Sequence, residues 1–315
     1  MNGYWHPTDP AWLRFLREQP AIHEVNFWRP GPRTFRAISE GAPFLFKIRG
    51  ADVVGGFGFF SRYVELSILE AWESFGVANG TPDREGLRRF IAERRHEPIE
   101  GTPWSSKIGC ITLWSPIFFE ERNVVRRASD WSVQGAQAGG TFSLMEGDGR
   151  RVWEECQLRA AGYSARAAAG VRGVADAPMA QGSMYLRESR PGQRIFRASL
   201  FAAYGGACAI TNEHSVPVLD GAHIRPYAEE GPDRVTNGLL IRTDLHRLFD
   251  DGYVTVTPEF HFEVGNTLRD EYDNGRVYYA LRDELHGRRI RLPEHAEDWP
   301  DRSALDWHSR ERFRG

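Results

Sequence analysis

Cysteine is scarce in this chain. Only Cys110, Cys156 and Cys208 occur in 315 residues, and no two stand at C-x-x-C spacing. An odd, scattered set excludes a disulfide framework and a four-cysteine zinc site, and it fits a reducing compartment. Long apolar runs are missing as well. No stretch of 18 apolar residues occurs, so no membrane span is expected. The opening MNGYWHPTDPAW has no basic segment followed by an apolar one, so no secretory leader is expected and a cytoplasmic location is. Internal repeats and single-residue tracts are also lacking.

A surplus of positive charge is absent too: 40 Lys+Arg face 43 Asp+Glu, a formal net charge of -3. A polyanionic partner would therefore need a local basic face, because the chain as a whole offers none. Arginines do cluster, at Arg122, Arg126 and Arg127 and again at Arg288, Arg289 and Arg291. Each cluster reads equally well as phosphate-facing or as solvated surface. What is present is ordinary globular composition. Apolar residues make up 41% and charged residues 26%, which can bury a core and excludes wholesale disorder. The length has room for two domains.

The fold class expected is α+β. Residues 1–163 read as one domain, rich in aromatics and built mainly on strands. PFLFKI (43–48) and VVGGFGFF (53–60) are short β-branched and aromatic runs parted by a Gly/Asp turn. IGCITLW (108–114) and PIFF (116–119) read as two further strands. SILEAWESFG (67–76) and DREGLRRFIAERRH (83–96) carry helical spacing, the second with Asp83 as a candidate cap. A short helix is expected over 147–163. The mixture points to a curved sheet or small barrel with inserted helices. Residues 164–193 are rich in Ala, Gly, Ser, Pro and Arg without a clear period, and read as a linker. Residues 194–315 form the second expected domain, opening on a helix at 194–204 and closing on one at 303–313.

The chemistry sits in CAITNEHSVPVLDGAHIRPYAEEGPDRVTNGLLIRTDLHRLFDDGYVTV, residues 208–256. His223 lies in a short apolar strand and is followed by Arg225 and Pro226. Asn237 comes 14 residues later, before the run Gly238-Leu239-Leu240-Ile241. His246 comes nine residues after that, in the helical segment DLHRLFD. Taken singly, each has a plain structural reading: a hydrogen-bonded core histidine, a turn-forming Asn-Gly, a surface histidine on a helix. The ordered set, in these contexts, outweighs those readings.

That set resembles the ββα-metal fold of HNH nucleases, and AHIRPY, NGLL and DLHRLFD resemble the branch found among bacterial restriction endonucleases. The resemblance implies a metal-dependent phosphodiesterase acting on double-stranded DNA. Such hydrolysis needs a base for water and neutralisation of charge on the phosphate and the departing oxygen. The implied roles are His223 as general base, Asn237 as a brace that orients it, and His246 as metal ligand. The ion expected is Mg²⁺ or Mn²⁺. Two departures stand out. Where many relatives place a ligand directly before the base histidine, this chain has Ala222. Asp220 is the first candidate for the missing ligand, although strict alternation puts it on the opposite face from His223 unless Gly221 forms a bulge. Asp244 and Asp250 stand in reserve, a local cap or ion pair being the plainer role for Asp250. Some relatives also frame the site with a zinc-binding C-x-x-C pair. Here Thr211 stands where the second cysteine would be, so no structural zinc is expected and Cys208 reads as a small buried hydrophobe.

The first domain more faintly resembles the PUA-like group that includes EVE, YTH and SRA domains, through NFWRPG (26–31), PFLFKI and VVGGFGFF. That resemblance implies an aromatic pocket for a flipped nucleobase. Trp28, Trp104, Trp114 and Trp131 are available for stacking; Trp28 and Trp131 are the leading candidates, with Asn26 and Gln134 as edge readers. The plain alternative is that these side chains are core, as Phe44 and Phe46 on one face of PFLFKI would be. Together the two resemblances imply a restriction enzyme directed to modified cytosine, working as a homodimer because two strands need two sites. A non-specific HNH nickase and a catalytically inactive nucleic-acid-binding protein are the alternatives.

Overall fold

The computed structural model describes residues 2–20, 22–131, 139–170, 192–226, 231–272 and 275–315. The chain forms two compact units, Met1–Pro191 and Gly192–Gly315. Residues 171–191 of the expected linker, and Gln134 among the expected site residues, lie outside the described residues. Among the described residues no helix is long and apolar enough to cross a membrane.

The first unit is built on one sheet. Its elements are β1 (Asn2–Thr8), α1 (Pro10–Arg17), β2 (Glu24–Arg29), β3 (Pro43–Ile48), β4 (Val53–Ser67), α2 (Ile68–Phe75), α3 (Arg84–Arg95), β5 (Lys107–Phe118), β6 (Val125–Arg126), β7 (Gly140–Ser143) and α4 (Gly147–Gly170). The strand order is β2-β5-β4-β3-β1-β7, with β6 on β4. β1 runs parallel to β3, and the other pairings are antiparallel. The sheet does not close into the small barrel that was one expectation. β2 and β7 are its two ends, and no pairing joins them among the described residues.

Both faces of this sheet are covered, which explains why PFLFKI is apolar almost throughout. Phe44 and Phe46 share one face with Phe27 and Trp12, ring against ring at 5.0–5.4 Å. Leu45 faces the other way, into a core with Trp5, Phe57, Phe142, Val152 and Cys156. α4 supplies the last two of these. The segment read as two strands at 108–119 is one. Ser115 breaks its regularity with a left-handed φ of 48°, and its N–H donates to the carbonyl of His23. α2 starts on a reciprocal cap: Ser67 accepts from the Glu70 N–H, and the Glu70 carboxylate accepts from the Ser67 N–H. α3 starts on Asp83, which accepts from the Gly86 N–H.

The second unit contains α5 (Gln193–Ala203), β8 (Leu219–His223), β9 (Gly238–Arg242), α6 (Thr243–Asp250), β10 (Val254–Val256), β11 (Phe262–Val264), α7 (Thr267–Asp270), α8 (Arg276–Glu284) and α9 (Arg302–Glu311). β8 and β9 pair antiparallel in unbroken register from Leu219↔Arg242 to His223↔Gly238, so Gly221 makes no bulge. α6 leaves β9 directly and packs on the hairpin, as does α5. Gly238 lets α5 come close: a Cβ there would lie 2.6 Å from Cζ of Phe196. At the far end His308 of α9 stacks on Phe249 of α6 at 3.6 Å and bonds Thr255. Burial lowers the His308 pKa to about 4.

Candidate active site

The three expected residues of the second unit lie on the hairpin and on α6. His223 ends β8, Asn237 immediately precedes β9, and His246 lies in the middle of α6. Asn237 is buried, and its amide spans the loop between the strands. Its Oδ1 accepts from the Arg225 N–H at 3.0 Å, and its Nδ2 donates to the carbonyls of Arg225 (2.9 Å) and Pro232 (3.1 Å). An Asn whose two amide ends are matched in this way fixes the loop that follows His223.

Two imidazole–carboxylate pairs result. His223 Nε2 is 2.7 Å from Asp233 Oδ1. His246 Nδ1 is 3.0 Å from Asp220 Oδ2, while its Nε2 is 3.4 Å from Asp250 Oδ2. All four of His223, Asp233, His246 and Asp220 are partly exposed, so solvent and a substrate can reach them. Strict alternation along β8 puts Asp220 on the face away from His223, as expected, and that face is the one α6 covers. The pairs nonetheless share one electrostatic neighbourhood. Burial raises the Asp250 pKa, and the carboxyl also feels the charges of His246, Asp251, Asp220 and His223. For Asp220, burial acts upward. The His246 hydrogen bond and charge, the Arg197 charge and the Gly221 N–H outweigh it and hold the carboxyl below its ordinary range.

The family resemblance implies a metal, and Asp220 with His246 fits one. Two adjacent ligands around an octahedral ion, each at about 2.1 Å, stand about 3.0 Å apart. The Oδ2–Nδ1 spacing is 3.0 Å. Among the described residues no group of three or more His, Cys, Asp or Glu side chains surrounds a common point. The reason is geometric: Asp220 and Asp250 lie at opposite nitrogens of one ring, so a single ion cannot take all three. A hydrated Mg²⁺ or Mn²⁺ tolerates two protein ligands, because it keeps several waters. Asp244 takes no part; it pairs with Arg242 at 2.6 Å. Cys208 is buried, and its Sγ accepts from the Thr211 N–H at 3.4 Å, where the second half of a zinc pair would stand.

Residues 208–257 match the family model described as HNH endonuclease. This segment is an HNH nuclease domain. The match contains both histidines, Asn237, Asp220, Asp233 and Asp250. No curated protein matches the chain. Among solved structures, the chain is similar to a modification dependent TagI restriction endonuclease at 13% identity, covering 94% of this chain and 78% of that one. The TM-score is 0.28, too low to speak for a shared arrangement. Two residues that contact His223 had no local mark in the sequence. Asp233 lies in an irregular loop, and Phe196 on α5 is distant in sequence, yet its ring stacks on His223 at 3.9 Å and 10°.

In the first unit three of the residues expected at a base pocket, Trp131, Asn26 and Trp28, are engaged with neighbouring side chains and backbone. Trp131 is core, stacked on Trp5 at 5.4 Å. Asn26 is fully buried, its Nδ2 donating to Asn79 Oδ1 and Cys110 Sγ. Trp28 is half-buried, its Nε1 donating to the Asn79 carbonyl and its ring edge-on to Phe90. These placements have one cause: an aromatic on a two-faced sheet is as readily interior as exposed. An open cleft of about 460 Å³ is lined by Phe57, Phe59 and Trp153, with His23, Ser115 and Gln157 as its polar groups. Trp153 stands edge-on to Phe57 at 5.0 Å, and the half-exposed Trp114 stacks on Phe59 at 4.9 Å.

Proposed function

We propose that this chain is a DNA endonuclease that hydrolyses phosphodiester bonds with one divalent ion, and that its first unit directs it to DNA carrying modified cytosine. The observation that carries the nuclease reading is the pairing of two partly exposed histidines with carboxylates on one β-hairpin and its helix. His223 accepts a proton from water as the water oxygen attacks phosphorus. The bond from phosphorus to the 3′ oxygen then breaks, leaving a 5′-phosphate, and the 3′ oxygen takes its proton from solvent. Asn237 holds the loop that keeps His223 in place. Asp220 and His246 would hold Mg²⁺ or Mn²⁺, which when bound supplies Lewis acidity at the phosphate and the leaving oxygen.

The reader half of the proposal is supported by the open aromatic cleft. Its volume, about 460 Å³, lies in the range of small-ligand sites, about 300–1,000 Å³. A base taken out of the duplex costs a few kcal/mol, and stacking on aromatic walls returns about 1–3 kcal/mol per base. Both strands are cut when two chains act together, so a homodimer is the working assembly. Digestion of plain, methylated, hydroxymethylated and glucosylated DNA with Mg²⁺ or Mn²⁺ tests both halves. Preference for one modified substrate is expected. Equal cleavage of all four removes the reader and leaves a non-specific HNH nickase or nuclease.

Ala222 and the two-residue ligand set favour one other reading, a nucleic-acid binder that does not cut. It prevails if wild type and His223→Ala bind DNA alike and neither cleaves with any divalent ion.

A further inference from the structure

The Asp233 carboxylate is seated between His223 and the start of α5. Its Oδ1 lies 2.7 Å from His223 Nε2. Its Oδ2 lies against Gly192, where a Cβ would come within 2.1 Å of it. Gly192 has a φ of 97°, a left-handed conformation that favours glycine, and it is the cap residue of the 11-residue helix α5. The carboxylate thus stands at the positive end of that helix, where the backbone N–H groups of the first turn favour a negative charge. The same helix carries Phe196, whose ring lies flat on the imidazole at 3.9 Å and 10°. One helix therefore sets both the plane of the His223 ring and the seat of the group at its Nε2.

An ionised carboxylate only accepts hydrogen bonds, so the ring nitrogen facing it is the N–H. The hydrogen then stays on Nε2, and the lone pair is on Nδ1. Among the described residues Nδ1 has no hydrogen-bond partner, while Nε2 has Asp233. We infer that Asp233 is the positioning residue for His223: it fixes the tautomer, aims Nδ1 at the attacking water, and steadies the ring when Nδ1 gains the proton, with Gly192 as the position that lets it sit there. The proton from water ends on Nδ1 and the Nε2 proton does not move. This rests on His223 being the base of the proposed nuclease. Asp220 cannot serve in this way, because its carboxylate is engaged with His246 on the other face of β8.

The test uses the full chain, with Asp233→Asn, Gly192→Ala and His223→Ala beside wild type. Single-turnover cleavage of supercoiled plasmid, DNA affinity by titration and the ring ¹⁵N spectrum of His223 are measured for each. Asp233→Asn is expected to lower the cleavage rate by about 10- to 1,000-fold while leaving DNA affinity within about two-fold. The ¹⁵N spectrum is expected to show Nε2–H alone in wild type and a shift toward Nδ1–H in Asp233→Asn, which loss of packing alone would not produce. Gly192→Ala is expected to move rate and spectrum the same way, less far. His223→Ala inactive with Asp233→Asn fully active and unchanged in tautomer overturns the Asp233 role and spares the nuclease. Cleavage that survives His223→Ala sinks the base assignment and this inference together.

Discussion

In the proposed reaction the two imidazole–carboxylate pairs of the second unit serve opposite ends. His246 has a carboxylate at each nitrogen, Asp220 at 3.0 Å and Asp250 at 3.4 Å. His223 has one, Asp233 at 2.7 Å, and a phenyl ring beneath it. A carboxylate oxygen and a ring nitrogen side by side at 3.0 Å suit cation binding. A ring held flat, with one nitrogen committed and the other open, suits proton transfer. Two histidines of one motif are thus told apart by what surrounds them, which the residue type alone does not reveal.

The contrast predicts unequal losses. Replacing His223 by Ala removes the base, and a fall of about 100- to 10,000-fold in cleavage rate is expected at saturating metal. Adding more Mn²⁺ should not restore it. Replacing His246 by Ala or Asp220 by Asn should lower activity by about 100-fold at modest metal concentration, with part of the loss recovered as Mn²⁺ is raised, because a weakened site still fills by mass action. If His223→Ala is the variant rescued by metal and His246→Ala is not, the assignments of the two pairs must be exchanged.

A third prediction concerns the two buried histidines outside the candidate site. Burial lowers His6 in the first unit and His308 in the second to about 4 from 6.5. Both are neutral in the folded chain, while the unfolded chain protonates them near pH 6.5. Their contribution is therefore present above pH 6.5 and lost as pH falls toward 4. Each shift is worth on the order of 3 kcal/mol. Denaturant midpoints measured from pH 7 to 4 should fall across that window, and His308→Gln should flatten the drop. A midpoint independent of pH there would show that these rings find compensation elsewhere.

How much of this was legible in the sequence divides along the same line between local and distant partners. α2, α3, β8, β9 and α6 announce themselves through caps, periodicity and the His223–Asn237–His246 spacing, all within short windows. β1 pairs in parallel with β3 across a long separation, and no local pattern marks such a partner. Closure of the sheet depends on whether β2 and β7 meet, which is likewise a property of the ends and not of any segment. Phe196 meets His223 only because α5 folds over the hairpin, and Asp233 only because the loop between β8 and β9 turns back on it. Asn26 and Trp131 have the chemistry of base readers, but the two-faced sheet draws them inside.

The smallest expected effect lies in the first unit. Trp153→Ala should remove one wall of the cleft and weaken discrimination between modified and plain DNA by about 1–3 kcal/mol, leaving the cleavage rate on plain DNA unchanged. The same substitution at Trp28 should leave that discrimination intact. The reverse outcome would move the reader site to β2.

The most direct measurement is cleavage of supercoiled plasmid by the full chain with and without Mn²⁺, wild type beside His223→Ala. Nicked and linear DNA are expected only for wild type and only with the ion. Cleavage by His223→Ala at the wild-type rate, or by wild type in excess chelator, would contradict the proposed mechanism.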